Sequence, residues 1–358
     1  MLPTVRIPSH MTSRDVLMPR RQVAGLPQPQ PGNVSGEWLD INEGHRKTDK
    51  VILYIHGGAF ALSSAKSHRP LTTQLASHGS SSLFAINYPL APENVFPSQL
   101  YEAIYAYLNL IDPIDASNKR YDHSQVVFAG DSAGAGLCIA LSLWLRDNNF
   151  ALPSGIVCLS PWLDLLHSQP SWRLADRDYL PTSASGFDPE IVPGCRSHFY
   201  TESDRINHNH LVSPLYAKDI PSKPLPPILI HVGNDERLRD ENLVFASKTI
   251  RSNVSLEVYD DQVHVFQGFS GEATQRSFEK IGEFIKTIDQ KPRKAPNEIR
   301  RVTSEMKVVD VGTEGALAIV DDGRRTLERL ARLKVSRIRS MSNHSVIRTS
   351  SVPFLRLI

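Results

Sequence analysis

A chain of 358 residues, 41% hydrophobic and 22% charged, carries enough apolar material for one large globular unit with additions. Its formal net charge of only +2 lacks the basic surplus that marks a nucleic-acid-binding protein. No apolar run reaches the roughly 18 residues that a membrane-spanning helix needs. The three cysteines, Cys138, Cys158 and Cys195, are odd in number and form no C-x-x-C pair, so they suggest neither a disulfide framework nor a zinc site.

The N-terminus, MLPTVRIPSHMTSRD, has no continuous apolar stretch of the secretory-leader kind, and with free thiols this fits a reducing, cytoplasmic setting. Residues 1–36, rich in Pro and Gln, read as a loose arm with a short helix near Asp15. A strand is expected at Trp38–Ile41, followed by a turn and by the apolar run VILYIH. Continuous apolar runs of strand length mark strands buried on both faces of a parallel sheet. More of them follow at Ser82–Asn87, Gln125–Ala129, Gly155–Leu159, Ile228–Val232 and Ser255–Tyr259. Helical stretches alternate with them at Leu71–His78, Gln99–Leu110, Ala135–Arg146, Glu241–Ile250 and Glu272–Ile288. That alternation predicts an α/β domain over residues 37–290, with a mostly parallel central sheet flanked by helices. Residues 165–224 break the pattern with prolines and aromatic residues and no clear strand, as a cap-like insertion over a site would. After Gln290 a linker (KPRKAPNE) leads into a basic tail, 291–358, with fifteen Lys/Arg against seven Asp/Glu. The tail reads as disordered apart from one basic amphipathic helix over Thr326–Ser340.

The chemistry-bearing motifs sit at the ends of the predicted strands. Gly130-Asp131-Ser132-Ala133-Gly134 is a G-x-S-x-G pentapeptide between a strand and a helix. In that context the serine occupies a sharp turn with its hydroxyl exposed, and the N–H of Ala133 can face a developing oxyanion. His56-Gly57-Gly58-Ala59-Phe60 follows VILYI, and the N–H groups of Gly57 and Gly58 are candidates for the rest of an oxyanion hole. His56 is expected to brace that loop. A serine at neutral pH needs a neighbouring base. Among thirteen histidines, His264 alone lies in a loop between the strand SLEVY and the final helix. His231, inside a predicted strand, reads as buried structure. His198, His208 and His210 read as exposed residues of the insertion. The acid that orients the base should follow ILIHV, where Asp235 and Glu236 both qualify.

Taken in order, HGGAF, GDSAG, the acid loop and DQVHVF resemble the hormonesensitive-lipase-like branch of the α/β-hydrolases, which includes microbial esterases and arylacetamide-deacetylase-type enzymes. YPLAPE, SPWLD and LPP before the acid strand add to the likeness, which spans about residues 37–288. The resemblance implies an α/β-hydrolase fold with Ser132 as nucleophile, His264 as base and Gly57, Gly58 and Ala133 as oxyanion donors. For the acid, its D/E-x-L-x-D pattern leans to Glu236, while counting from Gly233 favours Asp235. HGGA stands where HGGG is commoner, and the stretch ahead of the first glycine loop is short, which implies a small cap.

The expected activity is hydrolysis of a small carboxylic ester through an acyl-enzyme, with deacetylation of a small metabolite as one form of it, without metal or organic cofactor. Phe60, Trp162 and Tyr179 are candidate pocket residues, although core packing explains each as well. Two alternatives stay open: amide hydrolysis by the same triad, and a non-catalytic binding protein on the same scaffold. Retention of both Ser132 and His264 argues against the second.

Overall fold

A computed structural model of the protein describes residues 7–180, 200–201, 203–218, 224–248, 253–290 and 297–346. The elements run β1 (Met11–Pro19), β2 (Asn33–Ile41), β3 (Val51–Ile55), α1 (Arg69–Gly79), β4 (Ser82–Asn87), α2 (Ser98–Ile111), β5 (Val126–Asp131) and α3 (Ser132–Asp147). Then come β6 (Gly155–Leu159), the single turn α4 (Ser171–Leu174), β7 (Ile228–Gly233), α5 (Arg239–Lys248), β8 (Val254–Tyr259), α6 (Glu272–Thr287), β9 (Glu298–Val302), β10 (Val308–Asp310) and α7 (Gly312–Val346). The strands form one sheet in the order β1-β2-β4-β3-β5-β6-β7-β8-β9-β10. From β4 to β9 neighbouring strands are parallel, while β2 is antiparallel to β4 and to β1, and β10 is antiparallel to β9.

The continuous apolar runs work because successive side chains feed two different cores. Leu53, Phe128, Ile156 and Ile230 join Ile104, Ile139 and Leu243 from α2, α3 and α5 on one face. Ile52, Tyr54, Val127, Val157 and Leu229 meet Leu75 of α1 and Phe278, Ile281 and Ile285 of α6 on the other. Each side chain so buried contributes about 1.5–3 kcal/mol of transfer free energy, enough in sum to hold the sheet as a rigid platform.

The register of the parallel strands sets the site. Ile55 lies beside Gly130, Asp131 beside Leu159, Leu159 beside His231, and Gly233 beside Tyr259. The carboxyl ends of β3, β5, β6, β7 and β8 therefore finish along one edge, and the loops after them converge there. Chain order also reverses at β3, with β4 on one side and β5 on the other. Such a switch point is where open α/β sheets open a crevice for ligands.

Four expectations about the chain's periphery are corrected. The N-terminal arm is not loose: β1 pairs with β2 over nine residues, and Asp15 lies in β1 opposite Glu37 rather than in a helix. β1 is an edge strand with mostly exposed residues, so it lacks the apolar run by which inner strands announce themselves. The boundary at residue 37 falls inside β2. The boundary at 290 also fails as a domain limit, because β9 extends the sheet in parallel with β8 and buries Ile299 and Val302. Beyond it, α7 begins fourteen residues before the predicted helix and docks Ala316 and Val320 into the core, with Gly323 against Pro170. The insertion at 165–224 contains, among the described residues, α4 and short 3-10 turns but no strand. Cys138 and Cys158 are buried free thiols; Cys195 and His198 lie outside the described residues. Among the described residues no helix is long and apolar enough to cross a membrane.

Candidate active site

Ser132 stands where β5 ends and α3 begins, with φ of 52°. A left-handed backbone costs a non-glycine residue roughly 1–2 kcal/mol. Here the turn is held by the sheet below it and by the Trp162 N–H, which donates to the Ser132 carbonyl at 3.0 Å. Gly134 is required because a Cβ at that position would run into the carbonyl oxygens of Ile55 and His56. The N–H of Ala133, in the first turn of α3, has no carbonyl one turn back to bond. It therefore belongs to the positive end of the helix, a favourable place for negative charge.

Across the switch point, the loop after β3 turns through Gly58 at φ 105°, Ala59 at 53° and Phe60 at 64°. The Gly58 carbonyl accepts from the N–H groups of Ala61 and Leu62 and closes the turn. His56 is buried, its ring stacks on Tyr88 at 4.2 Å, and its Nδ1 lies 2.7 Å from the Gly57 carbonyl. Burial, only partly offset by that carbonyl, pushes its pKa down to about 4. It is thus a neutral brace. One expectation falls here: the Gly57 N–H already donates to Asp131 Oδ1 at 2.9 Å, so it is committed to holding the loop and is not free for an oxyanion. Gly58 and Ala133 are the two expected donors that this bond leaves uncommitted.

Asp131, the second residue of the pentapeptide, is the hub of a buried network that the motif alone does not reveal. Tyr54 Oη donates to its Oδ1 at 2.5 Å, and His68 Nε2 stands 3.3 Å from Oδ2. Burial by itself would raise the Asp131 pKa, but the charge of His68 and the hydrogen bonds from His68, Tyr54 and Gly57 outweigh it and hold the carboxyl below its usual range. For His68, burial disfavours the imidazolium; Asp131's charge, their hydrogen bond and the Ser64 carbonyl together outweigh burial and raise the pKa. The other groups around the pair, Tyr54, Tyr88 and the neutral His56, carry no charge at neutral pH.

The pair's contribution to folding is complete below the ordinary histidine value of 6.5 and above the ordinary aspartate value of 3.8. It is lost as pH rises through the raised value of His68, or falls through the depressed value of Asp131. His68→Gln, which leaves Asp131 buried without its cation, is expected to cost about 3 kcal/mol of stability near pH 6. The gap to wild type should narrow as pH rises through the raised value of His68, where wild type also loses the imidazolium. Thermal unfolding across that range checks this; a gap independent of pH would show that the pair is not ionised.

The acid and base come from the loops after β7 and β8. Glu236 is fully buried and His264 is 3% exposed. Glu236 Oε2 accepts from the Ser160 hydroxyl at 2.6 Å and from the Gly233 N–H at 2.8 Å. Its other oxygen, Oε1, faces His264 Nδ1 at 3.7 Å, and neither of these two atoms has another partner among the described residues. That distance exceeds a hydrogen bond, as apo catalytic contacts often do before substrate closes them. Asp235 points elsewhere: its Oδ2 pairs with Arg177 Nη1 at 3.0 Å on the surface. Ser160, at the end of β6, also accepts the Val265 N–H at 3.0 Å and so ties the acid to the loop that carries the base.

Phe60 is buried and stacks on Tyr200 at 3.8 Å, and Trp162 donates from Nε1 to the Asp164 carbonyl; both belong to the core under the site. Tyr179 is 57% exposed, with its ring 6.0 Å from that of His264. His231 is buried against Ser277. His208 packs its ring edge-on to Tyr216, and His210 reaches Asp147, so neither joins the site. Sequence reasoning missed Ser160, Asp131, His68 and Tyr54. Only Ser160, at the start of SPWLD, carried a local signal.

A strained serine at a strand–helix turn, glycine-loop donors, a buried glutamate facing a histidine and a switch-point sheet define a serine hydrolase of the α/β-hydrolase fold. The sequence pattern of an alpha/beta hydrolase fold family matches residues 52–268. An acetyl-hydrolase from Streptomyces hygroscopicus is 30% identical over 261 residues, 72% of this chain and 81% of that protein. An esterase from Acinetobacter venetianus is 33% identical over 245 residues, 67% and 76% of the two chains. The crystal structure of a hormone-sensitive lipase from a metagenome library superposes with a TM-score of 0.60 at 34% identity, covering 71% of this chain and 82% of that one. The chain belongs to the α/β-hydrolase family, in its hormone-sensitive-lipase-like esterase branch. It is a carboxylic ester hydrolase of that branch.

Proposed function

We propose that the chain hydrolyses small, short-acyl carboxylic esters by two-step acyl transfer through Ser132, His264 and Glu236. His264 takes the Ser132 proton as Oγ attacks the ester carbonyl, and Glu236 accepts from Nδ1–H and stabilises the imidazolium. The N–H groups of Ala133 and Gly58, with Ala59 next along the same left-handed turn, hold the tetrahedral oxyanion. His264 then protonates the departing alcohol. Water repeats the sequence in reverse roles and frees the acid and Ser132. The partner is a small ester, and the balance of charge offers nothing to nucleic acid. Tyr179, exposed beside His264, is the one candidate pocket residue placed to meet substrate.

The observation that carries this reading is the buried pair of Glu236 Oε1 and His264 Nδ1, which have no other partner among the described residues. A fully buried carboxylate is costly unless it has work to do on a cation, and this one keeps an oxygen unpaired in front of an imidazole. A p-nitrophenyl ester series from acetate to laurate tests the substrate class. The expected result is greatest kcat/KM at acetate or butyrate. Activity rising steadily to laurate would replace the short-acyl reading with a lipase one.

A further inference from the structure

The segment after α4 enters the site in a way that neither the motifs nor the triad accounts for. Asp178 is 8% exposed, and both of its carboxylate oxygens accept backbone N–H groups. Oδ2 takes the N–H of Arg237 at 2.8 Å, the residue directly after the proposed acid. Oδ1 takes the N–H of His264 itself at 3.2 Å. One carboxylate thus spans the loop after β7 and the loop after β8. In return, the buried Arg237 side chain donates to the carbonyls of Trp172 and Leu180, the two ends of the segment that presents Asp178.

These two loops must meet at one distance for the triad to work. Glu236 and His264 sit in loops that follow different strands, and their side chains face each other across 3.7 Å with no other partner for either atom among the described residues. On the Oε2 side Ser160 joins the loops through side-chain bonds. Asp178 joins them through backbone, beside the residues that do the chemistry. Charge-assisted bonds of this kind are roughly twice as strong as neutral ones, and only a carboxylate offers an acceptor to both N–H groups at once.

We propose that Asp178 is a positioning residue that sets the separation of Glu236 and His264, so that the segment after α4 controls turnover. This inference rests on the triad reading above. In Asp178→Asn one acceptor becomes an NH2 aimed at a backbone N–H, and the clamp loses one of its two ends. A displacement of about 1 Å in a catalytic pair lowers rate by roughly 10²-fold.

The test is a double-mutant cycle of Asp178→Asn with Glu236→Gln, measuring kcat and KM on p-nitrophenyl acetate, with Ser132→Ala alongside. The expected result is a kcat loss of about 10²-fold with KM within about twofold in the wild-type background, and little further loss in Glu236→Gln, because a clamp has no effect once its object is gone. Asp178→Ser, smaller and uncharged, provides the same reading if the Asn variant does not fold. An equal loss in both backgrounds, or a raised KM at unchanged kcat, would overturn the proposal and leave Asp178 a fold or pocket residue. Full activity in Ser132→Ala would instead sink the triad reading, whatever Asp178 does.

Discussion

Ser132→Ala is expected to lower kcat on a short-chain ester by about 10⁶-fold, the scale seen when a serine hydrolase loses its nucleophile. KM and the unfolding midpoint should stay close to wild type. The substitution removes only the hydroxyl, while the left-handed backbone at φ 52° and the bond from Trp162 N–H to its carbonyl remain. The residual rate should still exceed that in water, because the donors of the glycine loop and of α3 can polarise a bound carbonyl without a nucleophile. Parallel assays of wild type and variant on p-nitrophenyl acetate, with unfolding curves on both, check this. A loss under tenfold would mean that another group attacks the ester.

The second large effect separates two adjacent carboxylates. Glu236→Gln is expected to lower kcat about 10⁴-fold, and Asp235→Asn to leave it within about twofold, as loss of a surface ion pair does. In the Gln variant the amide oxygen is drawn to Ser160 Oγ–H and Gly233 N–H, which both need an acceptor. Its NH2 then faces His264 Nδ1, so the proton must sit on Nε2, the nitrogen that has to accept from Ser132. The base is held in the wrong tautomer while shape and packing are kept. Asp235 in contrast only pairs with Arg177, which is largely in solvent. Steady-state kinetics on both variants decide the matter, and the reverse ranking would move the acid to Asp235.

How far the sequence foretold this arrangement varies with the kind of interaction. The inner strands β3 to β8 were legible because each is buried on two faces and reads as a short, mostly apolar run. β1 was not, because an edge strand needs no apolar face, nor was β9, because EIRRV buries only Ile299 and Val302 between charged residues. Ser132 and His264 could be found from motifs because each sits where a strand must end in a tight loop. The sequence pattern leaned to Glu236 but left Asp235 open, since the choice depends on which way one loop turns; the structure turns it with the Asp235 N–H bound to the Gln262 carbonyl. Gly57 was misjudged for a similar reason. Its N–H is spent on Asp131, 74 residues further along the chain, and no spacing rule links the two. His68 and Asp178 were invisible on the same ground, for each acts through partners that only the fold brings near.

The measurement closest to the central claim is identification of the residue that carries the acyl group. Wild-type protein mixed with p-nitrophenyl acetate, quenched by acid within the burst and digested, would be mapped by mass spectrometry. An acetyl group is expected on the peptide containing Gly130-Asp131-Ser132-Ala133-Gly134, at Ser132, and is expected to be absent when Ser132 is alanine. Rapid ester turnover with no acyl group at Ser132, or with the label on another side chain, would contradict it.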